Sequence, residues 1–317
     1  MAQPRQVVQR SQESFASRRA PAAPDPFAGD FSQERPTTTG TYWPTLQWHG
    51  GLANLVGEGD SVKFNGGFFI EDDRIADLGL EPDRPAPGFE RLTLRLGGKQ
   101  IPGWGAAQLH IAFLFTDFCW EDRETGRLRF PAVEYERRKL QAPGTERELR
   151  GRTRALIGVR ELVDEGVLEP LVLSVRGTYS AAINGILRDA NRMAVEATKL
   201  RRRAGHEGAI PREAFWMPIY RGKMEDVGEG ANTSRVALPK ADIPANLTRE
   251  ILIEHLVEEM HRRSGGTFDQ WAESYAAAWE EKMTRADEPA DGYSANGYDR
   301  YVEEEPYDAY GGYGAQG

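Results

Sequence analysis

The sequence contains almost no cysteine and no long apolar run. Its 317 residues include a single cysteine, Cys119, and one thiol cannot close an internal disulfide, which excludes a disulfide-stabilised secreted scaffold. Because Cys119 lies in the apolar segment 113–120, we expect a buried thiol rather than a nucleophile. No segment approaches the roughly 20 apolar residues that span a bilayer, and residues 1–20 show no hydrophobic signal region. We therefore expect a cytoplasmic protein with no membrane partner.

The sequence also lacks the common signatures of catalytic and metal sites. There is no G-x-x-x-x-G-K-[ST] phosphate-binding loop, no G-x-S-x-G nucleophile elbow and no H-E-x-x-H zinc motif. His255 and His261 are six residues apart on a predicted helix, and this spacing turns them to different faces. We therefore predict a protein that is not an enzyme and that holds no cofactor and no metal.

The residue composition divides the chain into four parts. Residues 1–38 are rich in glutamine, serine, arginine, alanine and proline, which predicts a disordered N-terminal arm. Residues 39–245 contain short apolar segments bounded by glycine and proline, which predicts a β-rich core domain. Residues 246–285 have a helical pattern, and residues 286–317 form an acidic tail rich in tyrosine and glycine, which we expect to be disordered.

Within the core, the period of the apolar pattern changes once. Segment 89–96 carries leucine at alternate positions, which predicts a half-buried strand. Between 179 and 203, apolar residues recur at intervals of three and four, which predicts an inserted amphipathic helix. Further strands are predicted at 45–49, 61–70, 108–120, 127–135, 170–175, 215–220 and 234–238. We therefore predict an α+β fold with a β-barrel-like (OB-like) core, one inserted helix and a helical C-terminal segment.

Charge is distributed unevenly along the chain. The net charge is −9, and the eight acids and one arginine from residue 286 onward contribute −7 of it, which leaves −2 for everything before. The stretch 121–223 has the opposite balance, with 21 bases against 15 acids. A basic middle followed by an acidic tail is typical of proteins that bind an anionic partner.

Aromatic and basic side chains in this arrangement predict a nucleic-acid interface. Aromatic rings beside glycines and bases can stack on nucleobases, and basic clusters can contact phosphates. Arg150, Arg152 and Arg154 alternate, so they share one face if the segment is extended. The candidate nucleic-acid-binding residues are Trp48, Lys63, Phe64, Phe68, Trp104, Arg137, Arg138, Lys139, Arg150, Arg152, Arg154, Arg201, Arg202 and Arg203. An aromatic β core and an arginine-rich solvated surface are the alternatives.

The tail combines tyrosines with acids and glycines. We predict that it binds a protein partner and competes with nucleic acid for the basic core, and a solubilising appendage is the alternative. The candidate partner-binding residues are Tyr301, Glu303, Glu304, Glu305, Tyr307 and Tyr310.

This organisation resembles that of bacterial and phage single-stranded DNA-binding proteins, in which an OB-like β core precedes a glycine-containing acidic tail. Tails of that family end in acids and a hydrophobic tip, whereas this one ends Tyr313-Gly314-Ala315-Gln316-Gly317. A second, short stretch is similar to an uncharacterised bacterial family, a domain of unknown function that implies no activity. The residues that carry this second similarity are Pro44-Thr45-Leu46-Gln47 and Asn65-Gly66-Gly67-Phe68-Phe69-Ile70.

From these patterns we predict a non-enzymatic protein that binds single-stranded nucleic acid, DNA in particular, in replication, recombination or mobile-element maintenance. The alternatives are a phage-type structural or assembly protein with flexible ends and an enzyme with an unrecognised site. A nucleic-acid binder requires a positive groove with accessible aromatic rings, whereas an assembly protein requires an apolar surface patch.

Overall fold

The computed structural model describes residues 43–51, 53–55, 63–96, 98–123, 125–131, 149–228 and 233–257. The predicted N-terminal arm, the acidic tail and residues 258–285 of the predicted helical segment lie outside these ranges.

The described residues form an α+β fold dominated by one large sheet, which confirms the predicted class. Its strands are β1 (Thr45–His49), β2 (Ala53–Leu55), β3 (Lys63–Phe64), β4 (Gly67–Glu71), β5 (Glu90–Leu96), β6 (Lys99–Ala106), β7 (Gln108–Asp122), β8 (Leu128–Pro131), β9 (Leu149–Val159), β10 (Leu171–Arg176), β11 (Met217–Val227) and β12 (Ser234–Ala241). The helices are α1 (Asp72–Asp77), α2 (Arg160–Asp164), α3 (Gly177–Arg203) and α4 (Arg249–Glu254), with a 3-10 turn at Arg212–Ala214.

The sheet is open, not the closed OB-like barrel that the strand pattern predicts. The strand order is β12-β11-β7-β9-β10-β1-β4-β6-β5-β2-β3, and β8 pairs with β7 off this path. β1 joins two halves, because its first residues pair with β10 in parallel and its last three pair with β4. The outermost strands β12 and β3 are not paired with each other in the described residues. Apolar alternation specifies the two faces of a strand but not its neighbours, so it cannot separate an open sheet from a barrel.

The long helix α3 matches the predicted inserted helix. Its apolar stripe is buried against the sheet; the stripe residues are Ile183, Ile186, Leu187, Ala190, Met193, Ala194 and Ala197. The helix ends on three arginines, Arg201, Arg202 and Arg203, which lie near the negative end of the helix dipole. Gly205 follows with a φ of 86°, a left-handed conformation that favours glycine. Among the described helices, none combines the length and apolar character needed to cross a membrane.

Helix α4 covers only the beginning of the segment 246–285, for which the sequence predicts helix. It begins at the cap residue Thr248, whose side chain accepts a hydrogen bond from the backbone N–H of Ile251, and it ends at Glu254. The next residues pair with another part of the chain, because the backbone N–H of Trp216 donates to the carbonyl of His255 at 2.7 Å and Leu256 forms a bridge with Phe215. Tertiary pairing therefore stops the helix where its local pattern would continue.

The 15-residue strand β7 has two different partners along one of its edges. Its first residues pair with β11, with Ile111 opposite Met217, and its last residues pair with β8, with Cys119 opposite Pro131. Within the described part of the chain, residues 112–118 have no strand partner on this edge. Arg212 from the 3-10 turn reaches this gap and donates a hydrogen bond from Nη2 to Oγ1 of Thr116.

Candidate functional site

The four aromatic residues predicted to stack on nucleobases are buried in the core. Trp48, Phe64, Phe68 and Trp104 are all between 0 and 8% exposed. The ring of Trp48 meets Phe68 edge-on at 4.9 Å and its Nε1 donates to the carbonyl of Ala237 at 3.2 Å, while Nε1 of Trp104 donates to the carbonyl of Pro82 at 2.5 Å. The stacking assignment is therefore wrong for these four residues, because their ring faces are covered by the core.

The basic residues of strand β9 share one face, as their alternation predicts. Across the β7–β9 pair, Glu121 lies opposite Arg150, Cys119 opposite Arg152 and Asp117 opposite Arg154. On the other side of β9, Arg176 of β10 lies opposite Arg152. Because directly opposed residues point to the same side of a sheet, these arginines converge. We name this surface the arginine face; it comprises Arg150, Arg152, Arg154 and Arg176.

At the centre of the arginine face, the fully buried carboxylate of Glu121 binds three guanidinium groups. Nε of Arg150 donates to Oε1 at 2.7 Å, and Nη1 of Arg152 donates to Oε2 at 2.7 Å. Nε of Arg176 lies 3.5 Å from Oε2, and Nε of Arg152 also donates to Oγ of Ser174 at 3.0 Å. The side chains of Arg150, Arg152 and Arg176 are 29%, 7% and 18% exposed, so Arg150 reaches solvent most and Arg152 least.

The arginine face combines bases with acids. Among the described residues, four arginines lie on it together with the carboxylates of Glu121 and Asp117. A buried carboxylate that holds several arginines fixes their positions in the low-dielectric interior. The face therefore presents positioned cations that an oxyanion can bind.

Cys119 lies on the same face and is a buried thiol, as its apolar neighbourhood predicts. It is 0% exposed and packs against Leu128 and Phe115. Burial raises the pKa of the Cys119 thiol to about 12, and the nearby Asp117 and Glu121 also raise it, while Arg152 and Arg154 oppose the shift. The thiol is therefore protonated and unreactive in the folded protein at neutral pH.

The raised pKa of Cys119 predicts a loss of stability in alkali. The unfolded chain, whose thiol ionises near pH 9.0, binds fewer protons than the folded chain between pH 9 and 12, so the free energy of unfolding falls with rising pH in that window. One pKa unit corresponds to about 1.4 kcal/mol. We expect the free energy of unfolding, measured with urea at pH 8 and at pH 10, to fall by about 1.4 kcal/mol more for the native protein than for Cys119→Ala. Equal losses would contradict the buried-thiol assignment.

A cleft of about 560 Å³ lies between α3 and the strands β7 and β9. This volume falls within the roughly 300–1,000 Å³ typical of ligand pockets. We name it the α3 cleft; its lining residues are Thr116, Asp117, Phe118, Thr153, Ala181, Asn184, Leu187, Arg188, Asn191 and Arg212. Phe118 and Thr153 are paired across β7 and β9 and line the cleft, whereas the neighbouring pair Asp117 and Arg154 points to the other side of the sheet. The cleft therefore lies on the opposite side of the sheet from the arginine face.

Three polar residues of α3 point into this cleft from one stripe of the helix. Asn184, Arg188 and Asn191 are spaced by four and three residues, so they occupy one narrow face beside the apolar stripe. Within the described part of the chain, none of the three side chains has a hydrogen-bond or ion-pair partner. Their donors and acceptors are therefore available to a ligand.

Phe118 supplies an aromatic ring to the α3 cleft. The ring is half-buried and lies over Gly151, where an added Cβ would approach its Cζ to 2.9 Å. The ring of Trp120 meets it edge-on, with the centroids 5.6 Å apart and an interplanar angle of 87°. Gly151 and Trp120 thus hold Phe118 in place, and its remaining surface lines the cleft.

The other predicted basic residues belong neither to the arginine face nor to the α3 cleft, or they lie outside the described residues. Nε of Arg201 donates to the carbonyl of Glu207 at 2.7 Å, and Arg202 and Arg203 are exposed at the end of α3. At about 1.5 Å of rise per residue, they lie roughly 20 Å along the helix from Arg188. Lys63 lies in β3. Nine predicted site residues lie outside the described ranges, namely Arg137, Arg138, Lys139 and the six residues of the tail.

The site residues predicted from the sequence do not include those of the α3 cleft. Asn184, Arg188 and Asn191 do leave a trace in the sequence, because they form a polar stripe at helical spacing beside the apolar one. Phe118 and Arg212 leave no such trace, since the fold alone brings them together. No known family model, curated protein or solved structure matches this chain.

Proposed function

We propose that this protein binds single-stranded nucleic acid, DNA in particular, without catalysing a reaction. In this proposal the phosphates contact the arginine face and a base enters the α3 cleft. The observation that carries the proposal is Arg150, whose partly exposed guanidinium is held in position by the buried carboxylate of Glu121.

The geometry of the arginine face suits phosphate oxygens. A guanidinium has five N–H donors in a planar fork. Arg150 directs its Nε and Nη2 groups to Glu121, and Nη1 has no partner among the described residues. With its side chain 29% exposed, Arg150 offers these remaining donors to a backbone phosphate, while Glu121 holds the guanidinium in position.

The preference for a single strand rests on the α3 cleft. Bases of a single strand are free to stack on aromatic rings, and each stacked base contributes about 1–3 kcal/mol. Phe118 is the ring that the cleft offers, in place of the buried aromatic residues that the sequence predicts. Because the two surfaces lie on opposite sides of the sheet, a strand that contacts both passes around β7.

The proposal is tested by fluorescence anisotropy with the full-length protein. Labelled oligo(dT) and a duplex of the same length are titrated at roughly 50 and 200 mM salt. We expect tighter binding of the single strand, and binding that weakens as salt rises because bound cations are released from the phosphates. Absence of binding to either ligand at micromolar protein and low salt would overturn the proposal.

Arg150→Gln should weaken binding of oligo(dT) severalfold and lower the slope of log affinity against log salt by about one. The reason is the loss of one phosphate contact. The matched control is Arg235→Gln, since Arg235 is an exposed arginine on the outer strand β12. Urea unfolding confirms that both variants fold. An equal effect of the two substitutions would show that general charge, and not the arginine face, governs binding.

The described surface offers little to favour the alternative of an assembly protein. Among the described residues, Val195 is the only large apolar side chain that is exposed, at 54%. A single exposed valine is ordinary for a protein surface and does not form an interaction patch.

A further inference from the structure

We infer that the α3 cleft selects purine bases over pyrimidines, an inference that rests on the proposed function. Its polar residues stand on one stripe of α3, without protein partners in the described residues, around a half-buried aromatic ring. This arrangement combines a stacking surface with groups that can read the edges of a base.

The two asparagines of the cleft each present a donor and an acceptor side by side. An asparagine amide pairs in two-pronged fashion with the N6 and N7 atoms of adenine. Asn184 and Asn191 are seven residues apart, which is about 10 Å along the helix axis. A purine has hydrogen-bonding edges on both of its rings, so both amides can engage it at once, whereas a pyrimidine is smaller and has a single such edge.

Arg188 stands between the two asparagines on the same stripe. Arginine is the commonest partner of the O6 and N7 atoms of guanine, and Arg188 has no ion-pair partner among the described residues. Arg212 on the opposite side of the cleft is already engaged, because it donates to Thr116 and its Nε lies 3.2 Å from Glu213. The free guanidinium therefore belongs to the helix side, together with both amides.

The ring of Phe118 also favours a purine over a pyrimidine. Phe118 is held over Gly151 by Trp120, as described above, so it does not need to be ordered when a base binds. A purine covers more of such a ring than a pyrimidine does, and stacking strength sets the base preference of otherwise unspecific binders.

The test compares two labelled oligonucleotides that differ at one position. The full-length protein is titrated with oligo(dT) and with the same oligonucleotide carrying a single central adenine, which avoids the self-stacking of a long adenine run. We expect the adenine-containing strand to bind at least about fivefold tighter. Asn184→Ala and Asn191→Ala should each remove most of this ratio and leave the salt dependence of oligo(dT) binding unchanged.

The control variant is Asn246→Ala, because Asn246 is an exposed asparagine outside the cleft, and it should keep the full ratio. Alanine at positions 184 and 191 favours helix formation, so a loss of the ratio cannot be attributed to unfolding. An unchanged ratio in both cleft variants, or equal binding of the two strands by the native protein, would overturn the purine inference while salt-dependent binding still supports the proposed function.

If neither strand binds, the proposed function fails and the cleft is tested by itself. Calorimetric titration with adenosine and thymidine monophosphates then decides the matter. Binding of the adenosine nucleotide that is lost in Asn191→Ala would support a purine cleft, and no binding of either nucleotide would overturn it.

Discussion

Replacing Glu121 with glutamine should lower the free energy of unfolding by about 3–5 kcal/mol. Glu121 is fully buried and its carboxylate contacts Arg150, Arg152 and Arg176. Glutamine keeps the size of the side chain but removes the negative charge, so three partly buried guanidinium groups would be left without their common counter-ion. Because an uncompensated buried charge is expensive, the loss exceeds that of an ordinary hydrogen bond. Urea-induced unfolding of the native protein and the variant measures it.

The matched control is Glu225→Gln at an exposed ion pair. Glu225 Oε1 lies 3.3 Å from Nζ of Lys240, and both side chains are more than 40% exposed. Exposed pairs contribute about 0–1 kcal/mol, so this variant should unfold nearly as the native protein does. A Glu121→Gln variant that loses less than about 1 kcal/mol would place the Glu121 network among such surface pairs and would contradict its role in positioning the arginine face.

Replacing Phe68 with alanine should lower the free energy of unfolding by about 3–5 kcal/mol. Phe68 is 0% exposed and its ring packs against Trp48 at 4.9 Å. The substitution removes buried apolar surface and leaves a cavity that the surrounding strands cannot fill completely. Under conditions where the variant remains folded, the affinity for oligo(dT) should be unchanged, because the ring is not available to a base.

Val195→Ala serves as the control for Phe68→Ala, since Val195 is 54% exposed on α3. Its truncation should change the free energy of unfolding by no more than about 0.5 kcal/mol. If Phe68→Ala kept its stability and instead lost affinity for oligo(dT), the original stacking assignment would be restored and the core placement would be wrong.

The strand β7 contributes to both the arginine face and the α3 cleft. Its edge is free between β11 and β8 in the described residues, and its other edge lies against β9 with the alternating arginines. One strand thereby contributes Glu121 and Asp117 to the arginine face and Phe118 to the cleft. Successive residues of a strand point to opposite sides of a sheet, so the arginine face and the α3 cleft lie on opposite sides of β7.

Much of the local structure follows from the sequence alone. The period of two in segment 89–96 predicts β5, and the three- and four-residue spacing after residue 179 predicts α3 to within a few residues. The alternation of Arg150, Arg152 and Arg154 correctly predicts a shared face. Each of these features depends on backbone geometry within one segment, which a single stretch of sequence encodes.

Only the tertiary structure decided which side chains are accessible and which segments meet. The same alternating pattern describes an aromatic core and an aromatic binding platform, so the burial of Trp48, Phe68 and Trp104 could not be predicted from it. Glu121 meets Arg150 and Arg152 through strand pairing across 29 and 31 residues, and Arg212 reaches Thr116 across 96. Such contacts depend on the register and order of strands, which arise from packing of the whole chain and leave no periodic signal in any one segment.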